Sequence, residues 1–89
     1  AIEINPKYFE AYYNRGLAYF QQGSFTQAVS DFTRAIEINP TLAGAYNNRG
    51  VAYFMMREYD KAWADIYKAE ELGYVIDPGF LTELKKASK

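Results

Sequence analysis

The chain of 89 residues contains neither cysteine nor histidine. Their absence excludes disulfides, thiolate nucleophiles, zinc sites built from Cys or His, and the commonest general base of enzymes. No run of about 18 apolar residues is present that could span a membrane, and no leader of the secretory type opens the chain. The sequence therefore predicts a soluble protein without metal or cofactor, cytoplasmic by default, although the compartment itself stays unknown.

A strong net charge is also missing. Ten Lys and Arg stand against 11 Asp and Glu, which gives a formal charge of −1 at pH 7. No field of one sign attracts nucleic acid or an anionic membrane, so we expect no nucleic-acid partner. Hydrophobic residues make up 49% and aromatic residues 18% of the chain, which is too apolar for a disordered segment. We expect one small folded domain with a thin core.

A repeat of 34 residues organises the sequence. The segment Ala1–Pro6 returns letter for letter as Ala35–Pro40. The same offset carries Asn14-Arg15-Gly16 onto Asn48-Arg49-Gly50. A match that persists across a whole unit indicates a repeat architecture in which neighbouring units stack.

Each unit has the period of two helices. In the first unit Tyr12, Gly16 and Tyr19 fall at i, i+4 and i+7, and so do the apolar positions of the second half. Gly23-Ser24 divides the unit, and Ser24 followed by Gln27 has the form of a capping box. Asn39-Pro40 is expected to end the second helix. In the second unit the weaker stop Arg57-Glu58 replaces Gly23-Ser24, and the repeat spacing places that break near Glu58.

These positions resemble the tetratricopeptide-repeat (TPR) pattern W-x2-L-G-x2-Y…A-x3-F…A…P. Two departures are Arg15 and Arg49, which stand where the family has Leu, and a third is Tyr74 in place of the closing Pro. The resemblance implies an all-α, right-handed α-solenoid of antiparallel helix pairs with about five helices. The matching residues are Tyr12, Gly16, Tyr19, Ala28, Phe32, Ala35 and Pro40 in the first unit, and Tyr46, Gly50, Tyr53, Ala62, Ile66 and Ala69 in the second.

The chain divides into four segments on this pattern. Residues 1–6 are expected to be the tail of a preceding repeat, 7–40 the first repeat, 41–74 the second, and 75–89 a C-terminal capping helix. Gly73 is predicted to end the second repeat in a left-handed conformation, and Asp77-Pro78 to open the last helix.

Glycine on the packed stripe of a helix indicates that another helix comes close. Gly16 and Gly50 lie on that stripe, where glycine costs up to ~1 kcal/mol relative to alanine. We expect them to permit a tight crossing with a neighbouring helix.

The first helix of each repeat carries a second stripe that also needs a neighbour. The resemblance implies that first helices line a concave groove for a peptide or helix of a partner protein. An alternative is that the apolar members of the stripe only pack against the adjacent helix. The groove candidates are Tyr13, Asn14, Leu17, Phe20, Asn47, Asn48, Val51 and Phe54.

Some TPR domains bind the acidic C-terminus of heat-shock chaperones with a clamp of Lys, Arg and Asn. Asn48 matches one Asn of that clamp. The neighbouring groove positions Glu10, Tyr13, Leu17 and Gly44 include no Lys or Arg, so a carboxylate would find no cation there. We therefore expect a peptide with apolar anchors rather than an acidic tail.

Two pairs of opposite charge recur at a separation of 16 residues, Arg15 with Asp31 and Arg49 with Asp65. Such a pair can serve as an acid/base or anion site. Its duplication in both repeats favours a structural role, with each pair joining the two helices of a hairpin.

No constellation for catalysis is found, because no serine has a histidine to activate it and the glycines stand singly. We therefore expect a protein that is not an enzyme and that acts as a protein-interaction scaffold. Two alternatives stay open. One is self-association, giving a homo-oligomer through the uncapped N-terminal repeat surface, and the other is an accessory domain of a larger enzyme.

Overall fold

The computed structural model describes residues 8–88, which form five α-helices and, within that range, no strand. α1 packs along α2 and α3 along α4, and α2 packs in turn on α3. The expected all-α fold of paired helices is confirmed, whereas the expected tail at residues 1–6 lies outside the described residues. The helices are α1 (Tyr8–Gln21), α2 (Phe25–Ile38), α3 (Ala43–Met55), α4 (Tyr59–Glu71) and α5 (Pro78–Ala87).

A residue in the left-handed region ends the first helix of each hairpin. Gly23 has a φ of 80°, and Arg57, 34 positions later, has a φ of 64°. The amide of Gly23 donates to the carbonyl of Phe20 at 3.0 Å, and the amide of Arg57 donates to the carbonyl of Phe54 at the same distance.

The predicted capping box at the start of α2 is wrong. Ser24 lies at the N-cap position, but its side chain makes no capping hydrogen bond. Its φ of −88° and ψ of 70° lie outside the extended region in which an N-cap side chain reaches the first amides of the helix. The backbone carbonyl of Ser24 instead accepts from the amide of Ala28 at 3.0 Å.

The end of the second repeat follows the predicted signals. Gly73 has a φ of 95°, and the amide of Tyr74 folds back to donate to the carbonyl of Ala69 at 2.9 Å. Asp77 caps α5, because its carboxylate accepts from the amide of Phe80 at 3.0 Å. α5 then covers α4 with the fully buried side chain of Leu84.

Each hairpin is closed by a helix crossing that leaves no room for a Cβ atom. A Cβ at Gly16 would lie 2.8 Å from the ring of Phe32, and a Cβ at Gly50 would lie 3.0 Å from Cδ1 of Ile66. Both distances are shorter than ordinary van der Waals contact. The close approach that the sequence predicted at these two glycines is therefore present in both repeats.

An Arg–Asp pair joins the two helices of each hairpin. In the first, Nε and NH2 of Arg15 donate to Asp31 at 2.7 and 2.8 Å. In the second, Nε and NH2 of Arg49 donate to Asp65, both at 2.7 Å. The NH1 of Arg49 also donates to the hydroxyl of Thr33 on α2 at 3.1 Å, so this guanidinium ties the two repeats together.

The carboxylates further stabilise the charged form of both guanidinium groups. Hydrogen bonds and the charge of Asp31 raise the pKa of Arg15. Burial by itself lowers the pKa of Arg49, but the hydrogen bonds and charge of Asp65 raise it above its ordinary value. The side chain of Arg49 is 17% exposed and that of Arg15 is 59% exposed, so the second pair is the one shielded from water.

We predict that Arg57→Gly raises the free energy of unfolding by about 1 kcal/mol, because glycine adopts the left-handed conformation without the strain that a Cβ causes. The gain is smaller than the strain itself, because glycine also makes the unfolded chain more flexible. Urea denaturation followed by circular dichroism measures the change. Gly23→Ala is the reciprocal control and is expected to lower the stability by a similar amount. A destabilised Arg57→Gly protein would contradict the assignment of strain.

We predict that Asp65→Asn costs about 3 kcal/mol, because it leaves the shielded guanidinium of Arg49 without a counter-charge. The matched variant Asp31→Asn is expected to cost clearly less, since the exposed Arg15 can turn to water. Thermal and chemical denaturation of the two variants side by side provide the comparison. Equal losses would show that burial does not set the strength of these pairs.

Candidate functional site

Two amides and two phenols form a hydrogen-bonded chain where α1 meets α3. The Nδ2 of Asn48 donates to the hydroxyl of Tyr13 at 3.0 Å. The Nδ2 of Asn47 donates to Oδ1 of Asn48 at 3.3 Å and to the hydroxyl of Tyr74 at 3.5 Å. This amide–phenol face, defined by Tyr13, Asn47, Asn48 and Tyr74, connects α1, α3 and the segment that leads to α5.

Tyr13 reaches α3 because the facing residue is small. A Cβ at Gly44 would lie 3.1 Å from the Tyr13 hydroxyl, and the Tyr13 ring contacts that of Phe32 at a centroid distance of 5.8 Å. Burial raises the pKa of the Tyr13 phenol, nearby Tyr74 raises it further, and the hydrogen bond from Asn48 opposes the rise. The phenol is therefore neutral at neutral pH and keeps its O–H as a donor.

A recess of about 510 Å³ lies beside this face, between α3, residues 74–77 and the start of α5. Its wall is mainly apolar, with Val51 from α3 and Phe80 from α5. Val75, on the connecting segment, is 88% exposed at the rim. The carboxylate of Asp77 is the one charged group among the residues that line the recess. We refer to this space as the linker recess.

The face and the recess together offer the groups that a peptide needs. In the chain of hydrogen bonds the Nδ2 groups of Asn47 and Asn48 are the donors, so the Oδ1 of Asn47 remains as an acceptor for a ligand. The hydroxyls of Tyr13 and Tyr74 accept in this chain and can still donate their own protons. The linker recess next to them holds apolar side chains at its wall. This combination can bond to a peptide backbone and enclose one apolar side chain.

The other groove candidates divide between exposed and packed positions. Asn14 is exposed and Leu17 is half-buried on α1. Phe20 packs edge-on against Phe25 of its own hairpin, with ring centroids 5.4 Å apart. Phe54 contacts the ring of Phe80 at 5.3 Å. Phe20 therefore packs within its own hairpin, and Phe54 packs against the C-terminal helix α5.

The connecting segment before α5 contributes site residues that the sequence analysis did not assign. Tyr74, Val75 and Asp77 line the linker recess together with the predicted residues Asn47 and Val51. The signal in the sequence was the apolar pair that follows Tyr74 in a short link between two helices.

Within residues 8–88 no three carboxylates lie close enough to hold a metal ion. None of the helices in the same range is long and apolar enough to cross a membrane. The predicted structural residues Arg15, Asp31, Arg49 and Asp65 pair within their hairpins and take no part in the amide–phenol face.

Comparison with known proteins identifies the repeat. The family model described as TPR repeat matches residues 1–23 and 16–56, which is more than half of the chain. No curated protein matches the chain. A similar solved structure is the first TPR of Spaghetti (RPAP3) bound to the HSP90 peptide SRMEEVD, with 32% sequence identity and a TM-score of 0.78.

That similarity covers 96% of this chain and 64% of the chain of the solved structure. The same order of paired helices, the 34-residue repeat and the glycine crossings in both hairpins agree with the match. The chain belongs to the tetratricopeptide-repeat family, and its helices form an all-α solenoid of that kind.

Proposed function

We propose that this protein is an interaction scaffold that binds an extended peptide segment of a partner protein along the amide–phenol face. The observation that carries the proposal is the linker recess, which lies directly beside the free acceptor of Asn47. A bound peptide would bond through its backbone to the amides and phenols. One of its apolar side chains would occupy the recess and contact Val51 and Phe80.

The charges around the recess favour a neutral, apolar anchor. The residues that line it include no Lys or Arg, and the carboxylate of Asp77 would repel an acidic ligand. The solved relative binds SRMEEVD, a peptide with three acidic side chains. The positions Glu10 and Gly44 offer no cation to such a sequence in this chain. We therefore propose a ligand preference that differs from that of the relative.

We predict that the chain binds nine-residue peptides with a central Leu, Ile or Phe in a Ser/Asn/Gly background more tightly than it binds SRMEEVD. A peptide array selects the tightest sequence, and fluorescence anisotropy then measures its affinity. Val75→Glu is expected to weaken binding of that peptide at least 10-fold, about 1.4 kcal/mol, because it replaces an apolar side chain at the rim by a carboxylate that would lose water against the apolar anchor. Asn47→Ala is expected to weaken binding several-fold, because it removes the side-chain Oδ1 that would accept from a backbone amide of the peptide.

Tyr67→Glu is the matched control, since Tyr67 is also an exposed apolar side chain, 61% exposed, and lies on α4 outside the recess. Its affinity for the selected peptide should change less than twofold, and circular dichroism should show unaltered helix content in every variant. Tighter binding of SRMEEVD, or equal weakening by the Val75 and Tyr67 changes, would refute the proposal.

A further inference from the structure

The connection between α4 and α5 forms neither a helix nor a turn over residues 74–77, which we call the linker segment. Burial alternates along it, since Val75 is 88% exposed and Ile76 is 6% exposed. Asp77, at its end, has a φ of −61° and a ψ of 122°, which lie in the extended region. Side chains that alternate in this way have the period of a β-strand, and the residue types in Tyr74-Val75-Ile76 favour strands.

Only the two ends of the linker segment are tied to helices through the backbone. The amide of Tyr74 donates to the carbonyl of Ala69 at 2.9 Å, and the carbonyl of Asp77 accepts from the amide of Leu81 at 3.1 Å. Within residues 8–88, neither the amide nor the carbonyl of Val75 makes a backbone hydrogen bond. Successive residues of a strand direct these groups to opposite sides. Because the amide of Tyr74 points to α4, those of Val75 are expected to point away from it.

The linker recess lies along the same segment. Val75 and Ile76 line it opposite Val51 of α3, so an apolar side chain in the recess lies beside the backbone of Val75. The carboxylate of Asp77 is the one charged group among the lining residues. Its Oδ2 accepts from the amide of Phe80 at 3.0 Å, and its Oδ1 accepts no hydrogen bond from residues 8–88. A cation next to the apolar side chain would therefore complement this charge.

We propose that the partner's peptide binds as a β-strand that pairs with Val75 of the linker segment. The amide of Val75 donates to a carbonyl of the peptide, and the carbonyl of Val75 accepts from one of its amides, as in a hydrogen-bonded pair of an antiparallel sheet. The peptide places a β-branched or aromatic side chain in the linker recess and a Lys or Arg beside the carboxylate of Asp77. This mode of binding rests on the proposed function, because it specifies how the peptide is held at the same recess.

The linker segment of a second copy does not meet these requirements. It offers apolar residues, but no Lys or Arg stands between Leu72 and Phe80. Two paired linker segments would also bring two Asp77 carboxylates into one interface without a cation from either segment. A helix of a partner does not meet them either, because its amides and carbonyls bond within the helix. The requirements are met by a segment of a partner protein that lies outside regular helices and carries a basic residue.

The first test uses a blocked, fluorescein-labelled peptide, SGSNIKNSG, titrated with the whole chain and followed by fluorescence anisotropy. A strand directs alternate amides to one side, so methylation of the peptide amides should act with a period of two. One version is methylated at its third, fifth and seventh residues and the other at its fourth, sixth and eighth. One of the two should bind about 10-fold more weakly than the parent peptide, and the other should change less than about twofold. Equal weakening of both versions would overturn the strand pairing.

Two variants of the chain separate the amide of Val75 from its side chain. Val75→Pro removes the amide proton, whereas Val75→Ala keeps it and shortens the side chain. The peptide should bind about 10-fold more weakly to Val75→Pro than to Val75→Ala, and circular dichroism should show equal helix content in both. Hydrogen exchange by NMR provides a readout that needs no variant. In the unaltered chain the peptide should protect the amide of Val75 and leave that of Gly23, in the turn between α1 and α2, unchanged. A Val75 amide that stays unprotected in the complex would contradict the pairing.

A double-mutant cycle tests the cation. Replacing the lysine of the peptide by glutamine should weaken binding several-fold to the unaltered chain and should have little effect with Asp77→Asn. Asparagine at this position can still cap α5, so the variant keeps the path of the linker segment. Equal losses in the two proteins would show that the lysine does not pair with Asp77.

The outcomes separate strand pairing from the proposed function. If Val75→Glu weakens the peptide while both methylated versions bind alike, the recess binds the peptide and the strand pairing is wrong. If the peptides do not bind at all, the proposed function fails and the pairing fails with it. A molar mass that doubles with concentration, and stays that of a monomer in Val75→Pro, would make a second copy the occupant and would also overturn the proposal.

Discussion

The rest of the structure depends on how closely the two helices of each hairpin approach at Gly16 and Gly50. A Cβ atom at Gly16 would lie 3.3 Å from the Cβ of Asp31, and a Cβ atom at Gly50 would lie 3.2 Å from the Cβ of Asp65. The arginine that precedes each glycine along the chain can then reach both oxygens of that aspartate. A bidentate pair of this kind is directional, so it fixes the rotation of one helix relative to the other.

The aromatic rings depend on the same arrangement. The guanidinium of Arg49 lies 5.5 Å from the ring centroid of Tyr46 and 5.9 Å from that of Tyr53. The ammonium of Lys61, on α4, lies 5.6 Å from the ring centroid of Tyr53. A half-buried cation between two rings replaces the leucine that the family usually has here, because its charge is neutralised by Asp65 and its flat surface packs on aromatic faces.

Parts of this organisation could be predicted from the sequence, and the reasons are local. The 34-residue offset and the period of Gly16 and its neighbours indicate paired helices whatever the details of packing. The cap at Asp77 was also predictable, because it follows from the residue and the Pro after it. The capping box at Ser24 failed because backbone angles, which the residue type does not determine, decide whether the hydroxyl reaches an amide. The left-handed Arg57 is likewise imposed by the repeat geometry against the preference of the residue.

The candidate site was harder to predict because it joins residues that are distant in sequence. Asn47 and Val51 carry the repeat pattern, but the recess exists only because residues 74–77, which form no helix, pass beside them. That path has no counterpart after the first repeat, where Asn39 accepts from the amide of Thr41 in a tight turn. A periodic pattern predicts what the repeats share, and it contains no information about where the last connection departs from them.

α1 takes part both in the packing of its own hairpin and in the amide–phenol face. α1 is held by α2 at Gly16, and it meets the second repeat where the hydroxyl of Tyr13 accepts from Asn48. Its opposite side, with the exposed Ala11 and Ala18, makes no contact with another described helix. The hydrogen bond from Asn48 to Tyr13 therefore both completes the amide–phenol face and joins α1 to the second repeat, so the face and the docking of the first helix depend on the same contact.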